Sequence, residues 1–191
     1  MGVPTVDTGP MTVEDYLAFT DTRPDNEKWE LIGGEPILHA TPSRTHHRIL
    51  SNLLFELGRI ERSNLRSWEA VPGIGVRVSD TSLPEPDVFV RPRGNPKGDP
   101  FARECDDPFV IFEILSPSTA DRDMRWKRIA YTGLPSLTHY VVVAQDAVDL
   151  VVFAREFDFA ERRLRAGETL AIPALGISVP VAEIYRDTGL L

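Results

Sequence analysis

The chain carries a single cysteine, Cys105, in 191 residues. That excludes an internal disulfide and a zinc cluster built on several thiolates. Its setting, Arg103-Glu104-Cys105-Asp106-Asp107, predicts a bystander in a polar loop rather than a nucleophile. No apolar run approaches the roughly 20 residues that cross a bilayer, so no membrane partner is expected. Met1 to Pro10 lacks the basic-then-apolar layout of a signal peptide. It reads as a flexible leader before one domain over residues 11–191, and the expected compartment is the cytoplasm. Repeats and low-complexity tracts are absent. Gly33-Gly34 and Gly73-Ile74-Gly75 lack the spacing of a phosphate loop and predict turns.

Positive charge is also scarce: 21 Lys and Arg face 29 Asp and Glu, for a net charge of −8. This argues against a nonspecific polyanion binder, which needs clustered cations, but not against a local basic surface. Arginines do cluster at Arg44, Arg48, Arg59, Arg62 and Arg66, and again at Arg122, Arg125 and Arg128 beside Lys127. The plain reading of each cluster is a solvated helix face.

What the chain does have is enough apolar content, 42%, for one globular core. Thr12-Val13-Glu14-Asp15 predicts a capped helix to about Phe19. Residues 28–32 and 36–39 flank Gly33-Gly34 as a hairpin. Ser43 caps a long helix, about Arg44 to Arg62, whose apolar positions recur at helical spacing. Strands are expected over 66–70, 74–78, 86–90, 108–115 and 137–144, with a helix from about Thr119 to Tyr131 between the last two. Residues 148–154 and 161–165 read as another hairpin, and Val181 to Tyr185 as a final short element. The loop from Arg91 to Asp107 is rich in Pro, Gly and charge and is expected to be mobile. Together these predict one α+β domain.

Two strands carry a carboxylate into apolar company. They are Glu85-Pro86-Asp87-Val88-Phe89-Val90 and Phe109-Val110-Ile111-Phe112-Glu113-Ile114-Leu115. An ionised carboxylate in such surroundings costs several kcal/mol unless it is paired or binds a cation. Asp87 and Glu113 are therefore candidate ligands of one hard cation such as Mg²⁺. The competing reading pairs them with a helix arginine such as Arg122 or Arg125. Lys127 lies at the border of the apolar side of the following helix. It either reaches the two carboxylates, where it could stabilise charge on a phosphorus centre, or snorkels beside Asp123. His46, in the first turn of the long helix, is either a phosphate or carboxylate ligand at the mouth of a site or a packing histidine. His39 and His139 have no evident partners. Trp29, Trp68 and Trp126 have apolar neighbours and predict core packing rather than base stacking.

A set of motifs occurs in order along the chain. It comprises Met11-Thr-Val-Glu-Asp-Tyr-Leu17, Trp29-Glu-Leu-Ile-Gly-Gly-Glu35, Pro42-Ser-Arg-Thr-His46 and Glu85-Pro-Asp-Val88. It continues with Phe112-Glu-Ile-Leu-Ser-Pro-Ser-Thr119, Asp123 to Lys127, Tyr131-Thr-Gly-Leu-Pro135 and His139-Tyr-Val-Val-Val143. Over about residues 11 to 186 this set resembles the Uma2 family of restriction endonuclease-like proteins, within the PD-(D/E)XK nuclease superfamily. The resemblance implies a central mixed sheet flanked by helices and a metal-dependent endonuclease acting on nucleic acid, with DNA expected. The alternative is a nuclease-like fold that binds or regulates without turnover; a third reading is an enzyme for another phosphate ester. Pro86-Asp87 matches the first motif element and Glu113 the second, with Mg²⁺ or Mn²⁺ held by Asp87 and Glu113. Glu30 matches a further acidic position, and Arg44, His46 and Arg122 are expected to contact substrate. Two positions depart from the pattern. Leu115 stands where the motif's lysine usually lies, which leaves Lys127 as its substitute, and Gly33 stands where the family often has Asp. A homodimer is expected, with the apolar C-terminal stretch Ala171 to Tyr185 as part of its surface.

Overall fold

Residues 9–24, 26–63, 67–94, 101–115 and 123–191 are described by a computed structural model of the chain. The side chain of Thr12 accepts a hydrogen bond from the Asp15 amide (3.2 Å), and helix α1 (Val13–Thr20) begins behind that cap. Gly33 and Gly34 have φ of +60° and +84°, the left-handed pair that a two-residue hairpin turn needs. Strand β1 (Trp29–Ile32) therefore folds back on β2 (Glu35–Leu38), and a side chain on Gly34 would collide with Pro10. The Ser43 hydroxyl accepts from the His46 amide at the start of helix α2 (Arg44–Ser63).

Six strands build the main sheet. They are β3 (Trp68–Pro72), β5 (Val88–Pro92), β7 (Val110–Leu115), β8 (His139–Ala144), β9 (Asp149–Ala154) and β10 (Glu161–Arg165), in the spatial order β10-β9-β8-β7-β5-β3. Only β7 and β8 are parallel, and between them in sequence lie a π-helical turn (Asp123–Lys127) and helix α3 (Arg128–Thr132). A small parallel pair joins β4 (Gly75–Val76) to β6 (Glu104–Cys105). Strands β11 (Thr169–Ile172) and β12 (Ile177–Pro180) form a hairpin that leads into the short helix α4 (Val181–Ile184). This is the mixed α+β architecture that the sequence predicts.

The central strands β7, β8 and β9 are buried on both faces, as the lack of alternation in β7 requires, while the edge strand β10 is mostly exposed. Ile49, Leu53, Leu57 and Ile60 of α2 pack on one face against Val88, Phe112 and their neighbours. Each such side chain contributes about 1.5–3 kcal/mol on leaving water. The other face packs Phe89, Ile111 and Tyr140 against Tyr131 and Leu137. Glu113 is two residues from Ile111, so it points toward this second face. Among the described residues no helix is long and apolar enough to cross a membrane.

Several expectations change. Asp87 lies at a bend just before β5 rather than within the strand. Cys105 is buried in β6, not exposed in a polar loop; burial pushes its thiol up to about 12, and it donates to Asp107 Oδ1 at 3.3 Å. Residues 95–100 of the expected mobile loop, and Thr119 and Arg122 in the expected helix, lie outside the described residues. The hairpin β11–β12 was not expected. It carries Ile172, Ile177 and Val179 into the chain's own core with Val181, Ile184 and Tyr185. The C-terminal stretch therefore does not offer the apolar surface on which the expected dimer drew. Trp68 is buried, and its indole donates to Leu175 O at 2.8 Å, while Trp29 meets Phe19 edge to face with ring centres 5.1 Å apart. Both pack as expected.

Candidate active site

Strand pairing brings the two carboxylate segments together. In the β5–β7 register Val88 lies opposite Phe112, so the next step outward sets Asp87 opposite Glu113. The Asp87 carboxylate is held on both oxygens. Oδ2 accepts from the Ile114 amide at 2.7 Å, and Oδ1 lies 3.0 Å from His46 Nε2, an arrangement that puts a proton on that nitrogen. Lys28 Nζ lies 3.8 Å from Asp87 Oδ1 and 3.6 Å from Glu85 Oε1. His46 is thus brought into the site by the first turn of α2, whereas Arg44, two residues earlier, stays exposed at the helix start.

The second half of the site centres on Lys127. Its Nζ donates to Glu30 Oε1 at 2.8 Å and to Glu113 Oε1 at 2.9 Å, and the side chain is 2% exposed. A snorkelling lysine is excluded by that burial. The π-helical turn ends at Lys127, one register change that alters where the side chain is aimed. Tyr131, one turn on, donates from its hydroxyl to Glu113 Oε1 at 3.1 Å. Glu30 is delivered by the β1–β2 hairpin, which docks through the Leu31 and Leu83 backbones. Its Oε1 also accepts from the Glu85 amide at 3.0 Å. His39 Nε2 lies 2.8 Å from Glu30 Oε2, close enough for an ion pair but poorly aligned as a hydrogen bond.

These contacts fix the electrostatics. Burial pushes the Glu30 carboxyl upward, but the Lys127 ammonium and His39 outweigh it and hold the group well below the usual carboxylate range. Asp87 follows the same balance: burial raises it, and His46, Lys28 and the Ile114 amide bring the net shift below the ordinary value. Burial opposes the charge of Lys28, yet Asp87 and Glu85 leave its pKa raised. Burial dominates at Glu85, which is raised. The Tyr131 hydroxyl is driven far up by burial and then by the Glu113 charge, so it remains a donor.

Four carboxylates (Glu30, Glu85, Asp87, Glu113) thus meet two ammonium groups (Lys28, Lys127), an excess of two negative charges when both histidines are neutral. That excess and the all-oxygen donor set fit one hard divalent cation. Among the described residues no three His, Cys, Asp or Glu side chains converge to enclose an ion. The protein would supply part of a coordination shell, with water and phosphate oxygens completing it.

Of the residues singled out in the sequence, Glu30, Glu113 and Lys127 are brought into direct contact, and His46 joins Asp87. Arg122 lies outside the described residues, and half-buried His139 contacts Thr138 instead. Lys28, His39 and Tyr131 were missed. The hairpin carried a signal for the first two: Lys28 and His39 are paired by the His39 amide to the Lys28 carbonyl (2.8 Å), and Glu30 is two residues from Lys28. Period-two alternation then sets all three on one face.

Comparison with known proteins agrees with this architecture. An uncharacterized protein of Synechocystis sp. is 23% identical over 184 residues, covering 92% of each chain. A crystal structure titled as a "putative nuclease belonging to DUF820" from Anabaena variabilis superposes with a TM-score of 0.75 at 16% identity. That match covers 92% of this chain and 98% of the other, and it establishes a shared fold. Residues 13–182 match the Uma2 family, described as "Putative restriction endonuclease". The chain belongs to the Uma2 family.

Proposed function

We propose that the protein is a metal-dependent endonuclease of the cytoplasm that hydrolyses nucleic-acid phosphodiester bonds, with DNA as its substrate. The observation that carries this reading is Lys127, buried between Glu30 and Glu113. A buried ion pair is seldom worth more to stability than a well-packed apolar pair of the same size. Stability therefore gives little reason to keep this cluster, and clustered buried charges of this kind mark functional sites.

Asp87 and Glu113 are the residues that would hold Mg²⁺ or Mn²⁺. Such an ion supplies polarisation of the phosphoryl group and a more acidic bound water. Lys127 stabilises negative charge developing on the phosphoryl oxygens. Glu30 holds that ammonium in place, Tyr131 fixes the rotamer of Glu113, and His46 orients Asp87. Arg44, at the exposed start of α2, contacts the substrate backbone. A homodimer, which would cut both strands, is part of this reading, and light scattering at the protomer mass of 21.4 kDa would remove it.

A second reading, nucleic-acid binding without turnover, is favoured by one observation. Glu30 and Glu113 are already bonded to Lys127, so an incoming cation must compete with an ammonium. Plasmid nicking with Mg²⁺ or Mn²⁺ separates the two. Cleavage by wild type that falls on the order of 10²- to 10³-fold in Lys127→Met at a temperature where circular dichroism shows that variant folded, and vanishes in Asp87→Ala, supports the enzyme. Intact DNA and RNA under every condition support the binder.

A further inference from the structure

Helix α2 has two faces of opposite character. Its core face, with Ile49, Leu53 and Leu57, lies on the sheet. At about 100° per residue, Arg44, Arg48, Phe55, Arg59 and Arg62 fall within an arc of about 60° on the other side, and Ser51 extends it only to about 80°. All six are exposed, Phe55 at 67%. Arg44 and Arg62 are 18 residues apart, so the stripe runs for about 27 Å, the axial rise of about eight base pairs. Among the described residues Arg44, Arg48 and Arg62 have no ion-pair partner. Arg59 is paired with Glu56 at 2.7 Å, and Asp187 lines the cleft of about 300 Å³ beside Arg44 and Arg48. A net charge of −8 makes a cationic row on one helix, with only Arg59 of its four arginines in an ion pair among the described residues, a local feature and not a reflection of composition.

We propose that this stripe is a track for the sugar–phosphate backbone of a nucleic-acid duplex. Its charge is complementary to a polyanion, and its length matches several consecutive phosphates. The first turn of the same helix also reaches the candidate site, but from its opposite, core-facing side, where His46 meets Asp87. Phe55, in the middle of the row beside a shallow groove at Gly58, supplies the apolar contact that a sugar edge takes. The identity of the polyanion rests on the endonuclease reading; the surface itself does not.

Anisotropy of a labelled 24-base-pair DNA duplex, with an RNA duplex as a second arm, tests this in EDTA across a salt series. Each lost phosphate contact reduces the slope of log K against log salt by about 0.9. The variant Arg48→Gln/Arg62→Gln should lower the wild-type slope by about 2 and weaken binding, with an unchanged melting midpoint. Arg162→Gln, an exposed arginine on β10, should leave the slope as it was. Three results overturn the track: no binding of either duplex by wild type, a double variant with the wild-type slope, or an equal loss in Arg162→Gln. Dimerisation that Phe55→Asp abolishes, with duplex binding indifferent to Arg48 and Arg62, assigns the face to a second copy of the chain instead. The two proposals fail separately. Cleavage with no effect of the double variant removes the track and keeps the enzyme. Loss of binding in the double variant, with no cleavage by wild type, keeps the track and removes the enzyme.

Discussion

Lys127 and Arg62 are both cationic side chains on helical turns, yet Lys127 is 2% exposed and bonded to two carboxylates, while Arg62 lies in water with no partner among the described residues. The difference teaches how context sets the worth of a charge. In the interior the dielectric is low, so the two carboxylates and the ammonium are each costly alone and tolerable only together. On the surface, water and salt screen the guanidinium, and its contribution to stability is small whatever lies nearby. One group is fixed by its neighbours. The other is free to meet a ligand.

The sharpest way to break this comparison is to remove the lysine. Lys127→Met leaves Glu30 and Glu113 facing each other without a counter-charge, and should destabilise the fold by about 3–5 kcal/mol in urea denaturation. This differs from a helix-surface lysine, whose loss costs only a few tenths of a kcal/mol. Adding Glu30→Gln should return part of the loss, because the two sites couple through one hydrogen bond. Strict additivity of the two substitutions would sink the buried-cluster account.

A smaller effect is expected at Tyr131. Its hydroxyl donates to a charged acceptor, Glu113, inside the protein, so Tyr131→Phe should cost about 1.5–3 kcal/mol in the same measurement. A loss below half a kcal/mol would mean that the hydroxyl is not needed to satisfy Glu113.

Acid should sharpen the comparison further, by less than removal of the lysine since each carboxylate keeps several partners. Glu30 and Asp87 are held below their ordinary values of 4.5 and 3.8. Their stabilising contribution is therefore complete above those values and is lost as pH falls through the lower folded values. Glu85, raised by burial, works the other way and softens the decline. Thermal melts from pH 7 downward should show falling stability below pH 4.5, and Glu30→Gln should flatten that limb. An identical limb in the variant would remove Glu30 from the account. Smallest of all, Arg62→Gln should change stability by less than about 0.5 kcal/mol while still weakening duplex binding.

The chain's local patterns were legible because they need no distant partner. Helical spacing in α2, the glycine pair between β1 and β2 and the unbroken apolar run of β7 each specify an element from neighbouring residues alone. The ordered motifs then assigned the family, and with it the sheet and its flanking helices. The hairpin β11–β12 was missed because Gly176 turns it at φ +64° through a single 3₁₀ turn. No turn pair such as Gly33-Gly34 announces it.

Sequence by itself determined that Asp87, Glu113 and Lys127 needed an explanation, since charged groups in apolar segments are costly wherever the chain puts them. It also determined the arginine row, because helical periodicity alone sets Arg44, Arg48, Arg59 and Arg62 on one face. Only the tertiary structure decided that Lys127 sits between Glu30 and Glu113, residues 97 and 14 positions away, that Tyr131 closes the same group, and that His46 rather than an arginine holds Asp87. Those contacts cross from helix to sheet to hairpin. Their energies depend on burial and distance, and neither quantity exists until the elements have packed.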